Sequence, residues 1–424
     1  MEIFPEVRSS VSKVIAAFTI ACIVLAVGCG DTFRPVVNPI FSPSGDPALF
    51  HLAFVVNKNA PANAGAVSNI DVSGDTSIAV TPVGVGPVHA AFLPPGESRI
   101  FIANRDQDTV TSFIPSSSST PSSTLNLAPG SSPVFLATTE SSRMYVANSA
   151  TGTVGVIAAP QNTLITEIPV GSNPSALAET PDGKKLYAVN QGSGTVSVID
   201  TGNDTVITTV TVGSSPVWAL VSADALSLYV LNQGSNSISV INTTTDVVTA
   251  TVPVGNTPNF MHFDRRLSRL YVSNTGSNSI TVLNASATPP VLIKEIPVAA
   301  GVTSVAALSD GTGAYAASLQ VGSTATVTLS VINALNNTVS KTISFPPVSA
   351  VSACSGTRFR AFVAAAADGS KVYVSSCDAG VTHVMRTSNN TLVLNLLSPP
   401  SANAPPSPGA QPPPQNPVFI LAGP

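Results

Sequence analysis

Residues 174–212 read PSALAETPDGKKLYAVNQGSGTVSVIDTGNDTVITTVTV, and their punctuation decides the fold. Residues 174–180 are an apolar run, Pro181-Asp182-Gly183-Lys184 a turn, and Leu186-Tyr187-Ala188-Val189-Asn190 a second run. Gln191-Gly192-Ser193-Gly194 turns the chain into residues 195–199, and Thr201-Gly202-Asn203-Asp204 turns it again into residues 205–212. Short β-branched and apolar runs separated by Gly, Asn, Asp and Pro are strand and hairpin signals, and no helical periodicity interrupts them. The stretch therefore reads as four antiparallel strands joined by tight turns.

The same unit recurs along the chain. All six tyrosines fall in one column, Tyr145, Tyr187, Tyr229, Tyr271, Tyr315 and Tyr373, and the first three gaps are 42 residues each. The next gaps are 44 and 58, while Phe101 and Phe54 extend the column upstream at 44 and 47, which makes eight units. Four antiparallel strands per repeat of this length predict an all-β fold, a single β-propeller over residues 51–424 with eight blades. Should residues 345–397 form an irregular insertion, the count falls to seven. The first unit starts at its second strand and lacks an inner one. Pro417-Val418-Phe419-Ile420-Leu421 copies the opening of Pro133-Val134-Phe135-Leu136 and follows a Pro-rich, extended spacer, residues 398–416. Residues 417–423 are therefore expected to complete the first blade and close the ring, hiding a sheet edge that has few lysines to guard it.

Two motifs mark each unit. One appears as Tyr145-Val146-Ala147-Asn148, Tyr187-Ala188-Val189-Asn190, Tyr229-Val230-Leu231-Asn232 and Tyr271-Val272-Ser273-Asn274. The other appears as Val170-Gly171-Ser172-Asn173-Pro174, Val212-Gly213-Ser214-Ser215-Pro216 and Val254-Gly255-Asn256-Thr257-Pro258. Together they resemble the YVTN family of β-propeller repeats over residues 51–397. Most propellers of that type have seven blades, so eight comes from the count of units in this chain.

Charged residues make up only 9% of the 424 and apolar ones 44%, the reverse of a disordered chain. Eighteen basic residues against 22 acidic ones, with no basic cluster, leave no footprint for a nucleic-acid backbone. The start of the chain is different in kind. Arg8 and Lys13 precede an apolar run, residues 14–27, too short to span a bilayer and suited to the core of an export signal. Leu25-Ala26-Val27-Gly28-Cys29 resembles a bacterial lipobox, which implies cleavage after residue 28 and lipidation of Cys29. Residues 29–50 would then be a low-charge tether, and the protein a monomeric lipoprotein held at the periplasmic or cell-surface face of a membrane by its acyl chains. In that oxidising setting Cys354 and Cys377, 23 residues apart, are expected to form a disulfide.

Most repeated polar residues read as structural. The Asn column ends a strand before a turn, where Asn bonds nearby backbone and tolerates left-handed conformations. Asp182, Asp310 and Asp368, each followed by Gly, are turn residues, and the aromatic column is expected to pack between blades. The axis is more informative. Two residues after the strand-opening Pro stand His89, Phe135, Ala176, Trp218, Phe260 and Phe419, a position facing either the channel or the neighbouring blade. His262 lies on an inner strand too, whereas His51 and His383 are scattered. Pro87-Val88-His89-Ala90-Ala91-Phe92-Leu93-Pro94-Pro95-Gly96 is similar to the inner-strand pattern of lactonase-type propellers, which implies a hydrolase with His89 at a channel mouth and a divalent cation. That pattern continues with Asn-Glu, where this chain has Asn104-Arg105; Asp106 and Asp108 follow in the same loop, and they either substitute for that carboxylate or form, with Arg105, a solvated loop.

Binding candidates are thus His89, Arg105, Asp106, Asp108, Trp218, Phe260 and His262, with His89 the candidate catalytic residue. No Cys/His metal-ligand spacing and no phosphate-binding Gly loop occurs. Loops rich in Gly, Ser, Asn and Thr are poorly equipped for proton transfer. The expectation is a non-catalytic binding or scaffold module for an envelope protein or carbohydrate, with the lactonase-type hydrolase as the alternative.

Overall fold

The computed structural model describes residues 52–59, 63–72, 74–93, 99–115, 122–138, 142–366, 368–400 and 415–422. The expected signal segment, Cys29, the tether, His51, the Pro94-Pro95-Gly96 turn and spacer residues 401–414 lie outside the described residues.

Eight antiparallel sheets follow one another around a ring, so the fold is the β-propeller predicted from the aromatic column. The segment between 345 and 397 contains a regular last blade, Ala361–Ala365, Lys371–Ser376, Val381–Arg386 and Thr391–Leu397, which fixes the number at eight. One blade gains a fifth strand where Val348–Ser349 pairs with Thr324–Asn333.

The first blade runs from rim to axis as Thr76–Val85, Ala64–Asp71, Leu52–Lys58 and Asn416–Ala422. The C-terminal strand pairs antiparallel with Leu52–Lys58, setting Ile420 opposite Val55 and Phe419 opposite Val56. Its flanks meet the inner strands Pro87–Phe92 and Ala361–Ala365, so the two ends of the chain close the ring together.

The Tyr/Phe column is buried in every blade. Tyr187 shows what its polar end does: the hydroxyl donates to Asp246 Oδ1 of the next blade at 3.1 Å. Beside it Lys185 Nζ reaches the same carboxylate at 2.7 Å and the Thr243 carbonyl at 2.8 Å. Arg143 makes the equivalent link to Asp204 and the Thr201 carbonyl, and Lys371 links the last blade to Asp75 and the Val72 carbonyl of the first. Asp75, Asp204 and Asp246 all sit at φ near +54°, a conformation that Asp tolerates and that aims each carboxylate at the preceding blade. A basic residue two positions before the aromatic one therefore latches neighbouring blades at the rim.

The Asn column is structural, chiefly through bonds to side chains of the following strand. These residues lie at strand ends, and their amides bond hydroxyls on the following strand, with Asn57 and Asn274 also donating to nearby backbone carbonyls. Asn190 Nδ2 donates to Thr195 and Ser197 at 3.1 and 3.0 Å, and Asn232, Asn274 and Asn104 repeat the pattern with their own pairs. The Val-Gly-x-x-Pro glycine exists to admit this amide. A Cβ on Gly171, Gly213 or Gly255 would lie 2.7 Å from the Cγ of Asn190, Asn232 or Asn274, closer than any side chain allows.

Candidate functional site

Because inner strands of all blades converge, the residue two after the opening Pro meets its equivalents around the axis. His89 stacks on Phe135 with centroids 4.0 Å apart and lies 4.8 Å from Phe419. Phe135 meets Trp218 at 5.2 Å, Trp218 meets Phe260 at 4.7 Å, Phe260 meets Phe362 at 5.5 Å, and Phe362 returns to Phe419 at 4.8 Å. The result is a closed aromatic annulus. Ala176 and Ser304 occupy the two small positions, where the ring contacts skip a blade. The position thus faces the channel and packs at the same time.

An inserted segment fills the annulus. Residues 345–360 precede the last blade's inner strand and are stapled by the Cys354–Cys377 disulfide to the end of its second strand, with Cα atoms 5.9 Å apart. Asp378 accepts from Arg360 Nε at 2.7 Å and from the Val351 backbone N–H at 2.7 Å, holding the segment from two more sides. The staple directs Phe359 into the ring, 4.9 Å from Phe362, 5.5 Å from Phe260 and 6.2 Å from Trp218. Arg358 lies above it. Its guanidinium sits 5.0 Å over Trp218 and 5.2 Å over Phe359. It donates to the carbonyls of Val217 at 2.7 Å, Asn259 at 3.3 Å and Ser175 at 3.4 Å, each on a different inner strand. Solvent reaches the residue through the mouth, yet the surrounding protein lowers its pKa to about 10, which leaves it charged at neutral pH.

Above the plug a cavity of about 290 Å³ opens to solvent. His89, Phe135, Trp218 and Phe359 form its base, and Arg105, Ser149, Gln191 and Thr357 stand at its sides. Arg105, Ser149 and Gln191 are each the residue after a column Asn, so the repeat delivers that position to the mouth blade after blade.

The structure separates the predicted site residues into two groups. His89, Trp218, Phe260 and Phe419 come together, with Arg105 on the wall. Asp106 does not line the cavity: it pairs with Arg105 at 2.8 Å and Lys58 at 3.5 Å and packs over Gly86, where a Cβ would meet its carboxylate. Asp108, at φ +54°, accepts the Gly130 and Ser132 backbone N–H groups at 2.7 and 2.8 Å, tying its loop to the next blade. Both carboxylates make contacts to neighbouring blades, and neither lines the cavity. His262 is half-buried on the strand Pro258–Asp264, makes no ring contact with the annulus, and burial alone lowers its pKa to about 4. His383 stacks on Phe345 at 3.7 Å and meets Asn395 at 2.6 Å, away from the cavity. Among the described residues no cluster of three His, Cys, Asp or Glu side chains could hold a metal ion.

His89 itself is held in one state. Its Nδ1 accepts the Leu136 backbone N–H at 3.2 Å, and burial together with the nearby Arg358 charge brings its pKa down to about 3. The ring is therefore neutral at physiological pH with its proton on Nε2. It is a fixed donor and stacking surface; its one basic lone pair is already engaged.

These features define an eight-bladed β-propeller whose axial channel is stoppered and opens as a shallow aromatic-floored mouth. Similar solved structures are propellers as well. The dihydro-heme d1 dehydrogenase NirN in complex with DHE is 16% identical, covering 86% of this chain and 75% of its own, with a TM-score of 0.66. Apo AztD from Citrobacter koseri is 12% identical, covering 87% and 96%, with a TM-score of 0.60. Hydrazine synthase from Kuenenia stuttgartiensis is 18% identical, covering 63% and 87%, at 0.51. At these identities the likeness is one of fold. No protein-family model and no curated protein matches the chain.

Proposed function

We propose that the protein is an exported, lipid-anchored propeller of the YVTN type that binds a small molecule at its channel mouth, a non-catalytic module of the cell envelope. The observation that carries this reading is the state of His89. Among the described residues that line the cavity, His89 is the only one other than arginine that titrates, and it has its lone pair engaged by the Leu136 N–H and its pKa far below neutral, so it donates a hydrogen bond but does not accept a proton. Binding suits such a site: an apolar, aromatic base with a few converging polar groups. NirN, one of the similar folds, is described with a bound ligand, DHE, which supports ligand binding as a use of this fold.

The test is hydrolysis of a sugar-lactone panel by the full chain, with and without Ca²⁺ or Zn²⁺, beside His89→Ala. The expected result is no turnover above the uncatalysed rate. Turnover lost in His89→Ala would replace the binding module with a lactonase-type hydrolase.

Export rests on the apolar run 14–27 and the lipobox-like residues ending at Cys29. Several acyl chains hold a protein on a membrane where one does not. Cys29→Ser is therefore expected to move the protein from the detergent phase to the aqueous phase on phase separation. Retention in the detergent phase would refute the anchor.

A further inference from the structure

We propose that the channel mouth takes a small planar-ring molecule bearing a carboxylate or phosphate, an inference that rests on the binding reading above and names its ligand class. The Arg358 charge at the cavity has no carboxylate partner. Among the described residues Arg358 belongs to no ion pair, and no Asp or Glu lines the cavity. Its three backbone acceptors use three of five guanidinium N–H donors and fix the plane, leaving two donors for a ligand. Arg105 supplies a second cation on the wall, and its partner Asp106 is shared with Lys58. A guanidinium fixed in this way recognises an anion with short, charge-assisted hydrogen bonds.

The ring requirement comes from the base. His89, Phe135, Trp218 and Phe359 pack on one another with centroids 4.0 to 6.2 Å apart and are 4–7% exposed, which gives the cavity a flat apolar base against which a planar ring packs. At about 290 Å³ the cavity lies at the low end for small-molecule sites, suited to one or two rings. The Phe359 plug bars anything larger from passing down the axis.

Calorimetric titration of the full chain in a non-ionic detergent tests this with benzoate, phenyl phosphate, benzamide, inorganic phosphate and glucose. Benzoate or phenyl phosphate should bind at least about tenfold more tightly than benzamide, as loss of a charged hydrogen bond demands. Which of the two binds better identifies the anionic group. Inorganic phosphate, lacking the ring, should bind more weakly than phenyl phosphate. Arg358→Gln should abolish the preference for the anion. Arg105→Gln, which leaves the plug in place, should reduce it several-fold without changing the melting temperature. Equal binding of benzamide and benzoate, tightest binding of glucose, or no binding of either ring anion would overturn the proposal. Lactone turnover would instead overturn the binding reading beneath it.

Discussion

Deleting residues 417–424 is expected to abolish cooperative unfolding rather than merely lower the melting temperature. The strand they form contributes Val418, Phe419, Ile420 and Leu421, all buried at 6% exposure or less. At roughly 1.5–3 kcal/mol per buried apolar side chain this is on the order of 6–12 kcal/mol, comparable with the ~5–15 kcal/mol that holds most domains folded. The loss does not stop there. Leu52–Lys58, buried throughout, would become an open edge beside the channel, and the Asn416 amide that donates to the Cys377 carbonyl at 2.8 Å would lose its strand. An exposed edge of this kind is a template for aggregation. Circular dichroism or calorimetry of the truncated chain should show a broad transition or precipitation, whereas an unchanged sharp transition would refute ring closure by the C-terminus.

The second large effect is expected at the aromatic column. Tyr187→Ala should destabilise by about 3–5 kcal/mol, as truncation of a fully buried large ring does. Tyr187→Phe should cost only about 1 kcal/mol, the net value of one hydrogen bond, because Asp246 keeps Lys185 as its partner at 2.7 Å. The pair separates the two roles of the residue. Equal losses in both variants on denaturant unfolding would assign the stability to the hydroxyl latch and not to the packed ring; a loss under about 1 kcal/mol in Tyr187→Ala would remove the column from the core.

What repeats in this sequence is what could be read from it. The 42-residue spacing of Tyr145, Tyr187, Tyr229 and Tyr271 yields the blades, and the likeness of residues 417–421 to residues 133–136 yields the closure, because each blade buries its inner strand in the same way. The equivalent position of His89, Trp218, Phe260 and Phe419 was visible for the same reason, and the annulus follows from it. The plug has no counterpart in other blades. Arg358 and Phe359 reach the axis because the Cys354–Cys377 link and Asp378 fold an insertion back over the channel, a non-local outcome no periodicity encodes. Phe362 was hidden because its strand lacks the opening Pro that aligns the others. The contacts of Asp106 and Asp108 were not legible because their partners, Lys58, Gly130 and Ser132, lie in adjacent blades that meet the loop only in the assembled ring.

Trp218 is the single tryptophan of the chain, and it lies in the cavity base with the Arg358 guanidinium 5.0 Å over its ring. Its fluorescence therefore reports on the surroundings of the mouth. Titration of the full chain with benzoate or phenyl phosphate should change Trp218 emission along a saturable curve, and Arg358→Gln should flatten it. Emission that stays constant through a titration in which calorimetry records binding would place the ligand elsewhere and contradict the channel mouth as the site.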